Sequence, residues 1–150
     1  MEPPPPVEPV GEVIWIGGSV DKTSASLRFT GDDLDLDSVS RLLSCVPTRV
    51  HRKGETLRSG RTRHLPSVWL LNSPTATGQA LEEKIAWLLD HVSSDLRVWE
   101  KLIEMSRADI FCGLHLKAWN RGFSLSTELM QRLAERHLTL GFDIYCDAEE

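Results

Sequence analysis

Three segments of this chain alternate apolar and polar residues, which fixes the kind of layer they can occupy. In Thr23–Thr30, Ala25, Leu27 and Phe29 share one side, and Ser24, Ser26, Arg28 and Thr30 the other. Asp109–Ala118 sorts Ile110, Cys112, Leu114 and Leu116 from Phe111, His115 and Lys117. Leu138–Cys146 sorts Leu138, Leu140, Phe142, Ile144 and Cys146 from Thr139, Asp143 and Tyr145. Successive side chains of a strand point to opposite faces, so each segment has one side to bury and one to leave in water. Something else in the chain must cover the apolar sides.

Helical periodicity supplies that cover. Leu81, Ile85, Leu88, Leu89 and Val92 fall on one side of a helix over Gln79–Val92. Leu96, Trp99, Leu102 and Ile103 do the same over Asp95–Met105, with Ser94 as its expected cap. A shorter helix capped by Asp35 carries Leu36, Val39, Leu42 and Leu43 inward and ends at Pro47. A fourth, capped by Ser126, carries Leu129, Met130 and Leu133, with Leu125 stapled onto Met130. Further strands are expected at Glu12–Ile16, Thr48–Lys53 and Ser67–Leu71, and Gly54–Pro66 reads as a long loop with a mobile basic arm over 57–64.

The grammar strand, cap, helix, strand occurs twice, over Ser24–Arg52 and Asp109–Cys146, with the Gln79–Met105 helices between. The expected fold class is therefore α+β. It has a mainly antiparallel sheet with helices on one face and two strand–helix–strand half repeats, ferredoxin-like or related. The domain division is a proline-rich disordered arm over 1–11, one domain over 12–147 and a tail over 148–150. A chain of 150 residues with 41% apolar and 26% charged content suits one such core.

Several function classes are excluded or disfavoured at this point. Cys45, Cys112 and Cys146 have no CxxC spacing, so they read as buried free thiols, not a disulfide or zinc framework. No apolar run is long enough to span a membrane, and the acidic, proline-rich start is not a secretory signal, so a cytoplasmic location is expected. Trp87 and Trp99 read as packing residues. No metal or cofactor pattern is present: His51, His64, His91, His115 and His137 are scattered, and the glycines form no phosphate loop.

The net charge of −5 disfavours nucleic acid as a partner. Yet Arg49, Arg52, Lys53, Arg58, Arg61 and Arg63 lie between Arg49 and His64, opposed only by Glu55. Setting these aside from totals of 17 basic and 22 acidic residues leaves 11 and 21 for the rest of the chain. A basic segment thus sits on an acidic body.

The runs Thr23-Ser24-Ala25-Ser26-Leu27-Arg28-Phe29-Thr30-Gly31-Asp32-Asp33-Leu34-Asp35, Val39-Ser40-Arg41-Leu42-Leu43, Pro47-Thr48-Arg49, Arg52-Lys53-Gly54-Glu55 and Leu140-Gly141-Phe142-Asp143-Ile144-Tyr145 occur in that order. Together they resemble the bacterial domain-of-unknown-function family 4279, over about residues 20 to 146. The resemblance implies a small bacterial α+β protein and carries over no catalytic residue.

Two groups of residues are candidates for binding. Alternation places Arg28, His115, Lys117, Asp143 and Tyr145 on the water-facing side of the sheet, where they would meet if their strands are neighbours. The plain alternative is that an antiparallel sheet shows water its polar side. Arg49, Arg52 and Lys53 form the second group, suited to carboxylate or phosphate. Its plain alternative is a solvated loop that balances the acidic body. Cys112 and His115 lie three apart on one strand, hence on opposite faces, so no nucleophilic pair forms there. The expected function is a protein-interaction module, an immunity-type or accessory partner of another protein. The alternative is a binder of, or an enzyme acting on, an anionic small molecule on the exposed sheet face. RNA binding through 49–64 is a weaker third reading.

Overall fold

A computed structural model describes residues 18–75 and 80–147. The proline-rich arm, the Glu12–Ile16 strand, the 148–150 tail and the expected helix start at Gln79 lie outside the described residues. The elements in chain order are β1 (Gly18–Ser19), β2 (Lys22–Gly31), α1 (Leu36–Leu43), β3 (Arg49–His51), β4 (Ser67–Asn72), α2 (Leu81–Asp90), α3 (Leu96–Met105), β5 (Arg107–Leu116), β6 (Arg121–Gly122), α4 (Thr127–Glu135) and β7 (Thr139–Cys146).

The main sheet has the order β3-β4-β2-β5-β7, and β1 and β6 form a separate parallel pair. Strand β2 runs antiparallel to both β4 and β5, and β3 antiparallel to β4, whereas β5 and β7 are parallel. It follows that β2-α1-β3 is a split unit with β4 in its slot, and β4-α2-α3-β5 a second one with β2 in its slot. This interleaving is compatible with the ferredoxin-like expectation. The two half repeats are not equivalent in space. The first is split by β4, while β5-α4-β7 joins neighbouring strands and extends the sheet by one.

The apolar sides of the strands do what alternation predicts. Ala25, Leu27 and Phe29 of β2, Trp69 and Leu71 of β4, and Ile110, Cys112 and Leu114 of β5 are buried in one cluster. Leu36, Val39 and Leu43, Leu81, Ile85, Leu88 and Leu89, Trp99 and Leu102, and Leu129 and Leu133 reach the same cluster from the four helices. Burying such side chains stabilises by roughly 1.5–3 kcal/mol each. The centre is aromatic: Phe29 meets Trp69 edge-on at 5.6 Å and Trp99 at 5.7 Å.

Five local expectations are corrected. Helix α3 starts one residue later than expected, so Asp95, not Ser94, is its cap and accepts a bond from the Arg97 amide. Met130 lies one position off the stripe set by Leu129 and Leu133, and it is exposed instead of stapled inward. Leu96, the first residue of α3, is likewise exposed. Cys112 is buried, but Cys45 is only half-buried and Cys146, on the strand that ends the sheet among the described residues, is exposed. The Gly54–Pro66 loop is the fifth. It folds into a hairpin, with Gly54 N–H donating to Arg63 C=O, Arg63 N–H to Glu55 C=O and Leu57 N–H to Arg61 C=O.

Candidate interaction surfaces

Strand register decides which outward side chains meet. Arg28 stands directly opposite Asp109 and donates to both of its carboxylate oxygens, at 2.8 and 2.6 Å. Its guanidinium also lies 4.5 Å from the centre of the Phe111 ring. The Asp109 hydrogen bond raises the already high pKa of Arg28. This cation is therefore spoken for. His115 stands opposite Tyr145, and the two rings stack with centroids 4.9 Å apart. The Tyr145 hydroxyl donates to the Asp143 carboxylate at 2.5 Å, and that bond pushes the phenol pKa up.

The expected meeting of Arg28 with His115, Lys117, Asp143 and Tyr145 does not occur. Arg28 is level with Asp109, six residues along β5 from His115, a separation of roughly 20 Å. Lys117 lies past the end of β5, and its backbone N–H donates to Asp21 at 2.7 Å. That bond, with the nearby Arg121 guanidinium, holds the Asp21 carboxyl below its usual range. What the face does bring together is His115, Asp143 and Tyr145 at one end and Arg28, Asp109 and Phe111 at the other. Asp109 was missed as the partner of Arg28, although its parity with Phe111 already placed it on this face.

Arg49, Arg52 and Lys53 sit at the far edge. Arg49 is exposed on β3 opposite Leu70. Arg52 and Lys53 lead into a turn closed by Glu55 N–H donating to Arg52 C=O, with Gly54 at φ +88°. Lys53 reaches Asp32 at 3.4 Å.

The described cavities lie elsewhere. One of about 410 Å³ sits among Ser19, Thr23, Leu81, Glu82 and Phe123. Another of about 510 Å³ sits among Thr30, Arg107, Asp109, His137 and Thr139, and a third of about 490 Å³ between α1 and α3. None of the eight residues singled out from the sequence lines any of these three. Among the described residues no cluster of His, Cys, Asp and Glu is disposed to hold a metal, and no helix is long and apolar enough to cross a membrane. Cys112 is no nucleophile: burial pushes its thiol up to about 12.

The most unusual surface is at β7. This eight-residue strand is an edge of the sheet among the described residues, and its only charge is Asp143. Phe142 and Ile144 have the parity of the buried side yet are 41% and 59% exposed. Phe123 and Tyr145 add exposed aromatic surface, and the Phe123 and Phe142 rings pack 5.6 Å apart.

The family model for a domain of unknown function, DUF4279, matches residues 21–147. The chain belongs to this family. The matched region of this DUF4279 protein includes the whole main sheet, the β7 edge and the basic hairpin. No curated protein and no solved structure matches it significantly.

Proposed function

We propose that this DUF4279 domain is a protein-interaction module, an immunity-type or accessory partner, that takes an extended segment of another protein along β7. The observation that carries the reading is the long apolar edge. Sheets normally blunt such edges with lysine, proline or short length, because unpaired N–H and C=O groups invite another strand. Strand β7 has no lysine or proline and exposes Phe142, Ile144 and Tyr145 beside its backbone. Strand addition gives affinity through the backbone and specificity through alternate side chains. The small-molecule alternative has less support, since Arg28 is already paired with Asp109 and the outward residues line none of the three cavities described above. We extend the reading to a bacterial cytoplasm, which suits three free thiols.

The test is quantitative capture from the source cell. The full chain is compared with a Phe142→Lys/Ile144→Lys variant and with Arg49→Ala/Arg52→Ala as a control. The expected result is a bound protein that the control retains and the β7 variant loses by about tenfold or more, equivalent to about 1.4 kcal/mol. Thermal melting verifies that both variants fold. Equal capture by the β7 variant would overturn the proposal.

A further inference from the structure

The opposite edge of the sheet carries a second surface of different chemistry. Here the chain continues from β3 into the hairpin, with a bridge between Thr56 and Thr62. Its tip is a turn over Leu57–Gly60, closed by Gly60 N–H donating to Leu57 C=O, with Gly60 at φ +83°. Backbone bonds and two left-handed glycines thus define the shape, and the cationic side chains are left over. Arg63 donates to the Pro66 carbonyl and Lys53 reaches Asp32. Glu55, the one carboxylate of the segment, is turned toward His51 at 3.6 Å. Arg49, Arg52, Arg58 and Arg61 make no side-chain hydrogen bond or ion pair among the described residues, and all four are exposed.

We propose that this hairpin docks an acidic segment of a protein that also carries apolar residues. Charge complementarity is the first argument. Four unpaired guanidiniums present paired donors that match carboxylates, and no internal ion pair has to break to free them. The second argument separates protein from nucleic acid. Thr56 and Thr62 share one side of the hairpin, so alternation puts Leu57 and Arg61 together on the other. Leu57 is 40% exposed there, and Leu65 is 63% exposed just beyond. Exposed leucines among arginines fit a peptide with alternating acidic and apolar residues, whereas a phosphodiester backbone has nothing to offer them. The third argument is reach. Outside the segment the chain has 11 basic and 21 acidic residues, so a polyanion longer than the hairpin would run onto a repelling body. A short acidic segment touches only the hairpin.

The probe is a short fluorescein-labelled peptide of repeated Asp-Glu-Leu, titrated with the full chain at low salt and followed by anisotropy. A single-stranded RNA of equal charge is titrated in parallel. The peptide is expected to bind about tenfold tighter than the RNA. Arg58→Ala/Arg61→Ala is expected to lose about tenfold, and Leu57→Ser about threefold. Arg49→Ala/Arg52→Ala, at the base of the hairpin, serves as an independent variant with the same expected loss should the tip variant melt early. The Phe142→Lys/Ile144→Lys variant is expected to bind the peptide unchanged, which keeps this surface distinct from the β7 edge. RNA binding as tight as peptide binding, unchanged affinity in both arginine variants, or no peptide binding at low salt would each overturn the proposal.

Discussion

Gly113 shows how a single residue shapes the open face. It is buried in β5 directly opposite Ser24, and a Cβ added there would meet the Ser24 hydroxyl oxygen at 2.6 Å. No such contact is tolerated, so one side chain must yield. Between Phe111 and His115 the face therefore has no side chain from β5, and Gly141 leaves β7 bare beside Phe111. The flatness of this strip is built in by composition. Ser24 is exposed and can turn its hydroxyl aside, so Gly113→Ala is expected to change stability by less than about 1 kcal/mol. Ser24→Ala removes the oxygen and leaves its Cβ 3.9 Å away, an ordinary contact. A denaturation cycle with the double variant should then give a coupling under about 0.5 kcal/mol. A coupling above about 1 kcal/mol would show that the Ser24 hydroxyl is held in place and cannot turn aside.

At the scale of elements, the hairpin tests what kind of feature sequence alone can show. Leu57-Arg58-Ser59-Gly60-Arg61, flanked by Thr56 and Thr62, is a three-residue turn with glycine in the left-handed position, a known hairpin signal. The charges of this run suggest a mobile arm, but its glycine spacing specifies the turn. Nothing lies within 4 Å of a Cβ placed on Gly60, so only backbone strain opposes substitution. Gly60→Ala is accordingly expected to cost about 1–2 kcal/mol within the hairpin. Gly60→Asn should cost less, since Asn tolerates that conformation better. Hydrogen exchange at the Arg63 and Leu57 amides is the readout, and equal protection in Gly60→Ala would refute the assignment of the turn. The strands and helices were legible because periodicity reports burial residue by residue. Pairing was not, because alternation gives the face of Arg28 and of Asp109 but never their register. The exposure of Phe142 and Ile144 was hidden for the same reason. Their parity is that of core residues, and only strand order reveals that β7 is an edge among the described residues.

For the whole molecule, the decisive fact is that β2 is central and both split units close over it. Its Phe29 is fully buried between Trp69, which comes from β4, and Trp99, which comes from α3. Each tryptophan is pinned by its own indole N–H, donated to Ser40 Oγ at 2.9 Å and to the Ser93 carbonyl at 2.7 Å. Neither ring can readily slide into a void left by Phe29, so a deletion there should behave as an unrelaxed cavity. Phe29→Ala is expected to cost about 3–5 kcal/mol, a large part of the roughly 5–15 kcal/mol that holds a typical domain together. The two proposed surfaces sit on opposite edges of this one sheet, at β3 and β7, and both depend on the same core for their shape. Urea unfolding followed by tryptophan fluorescence should therefore show one cooperative transition moved to lower urea. Hairpin protection and β7 binding should be lost together across it. Two separated transitions, or a loss under about 1 kcal/mol, would mean that the edges are held independently of the Phe29 cluster.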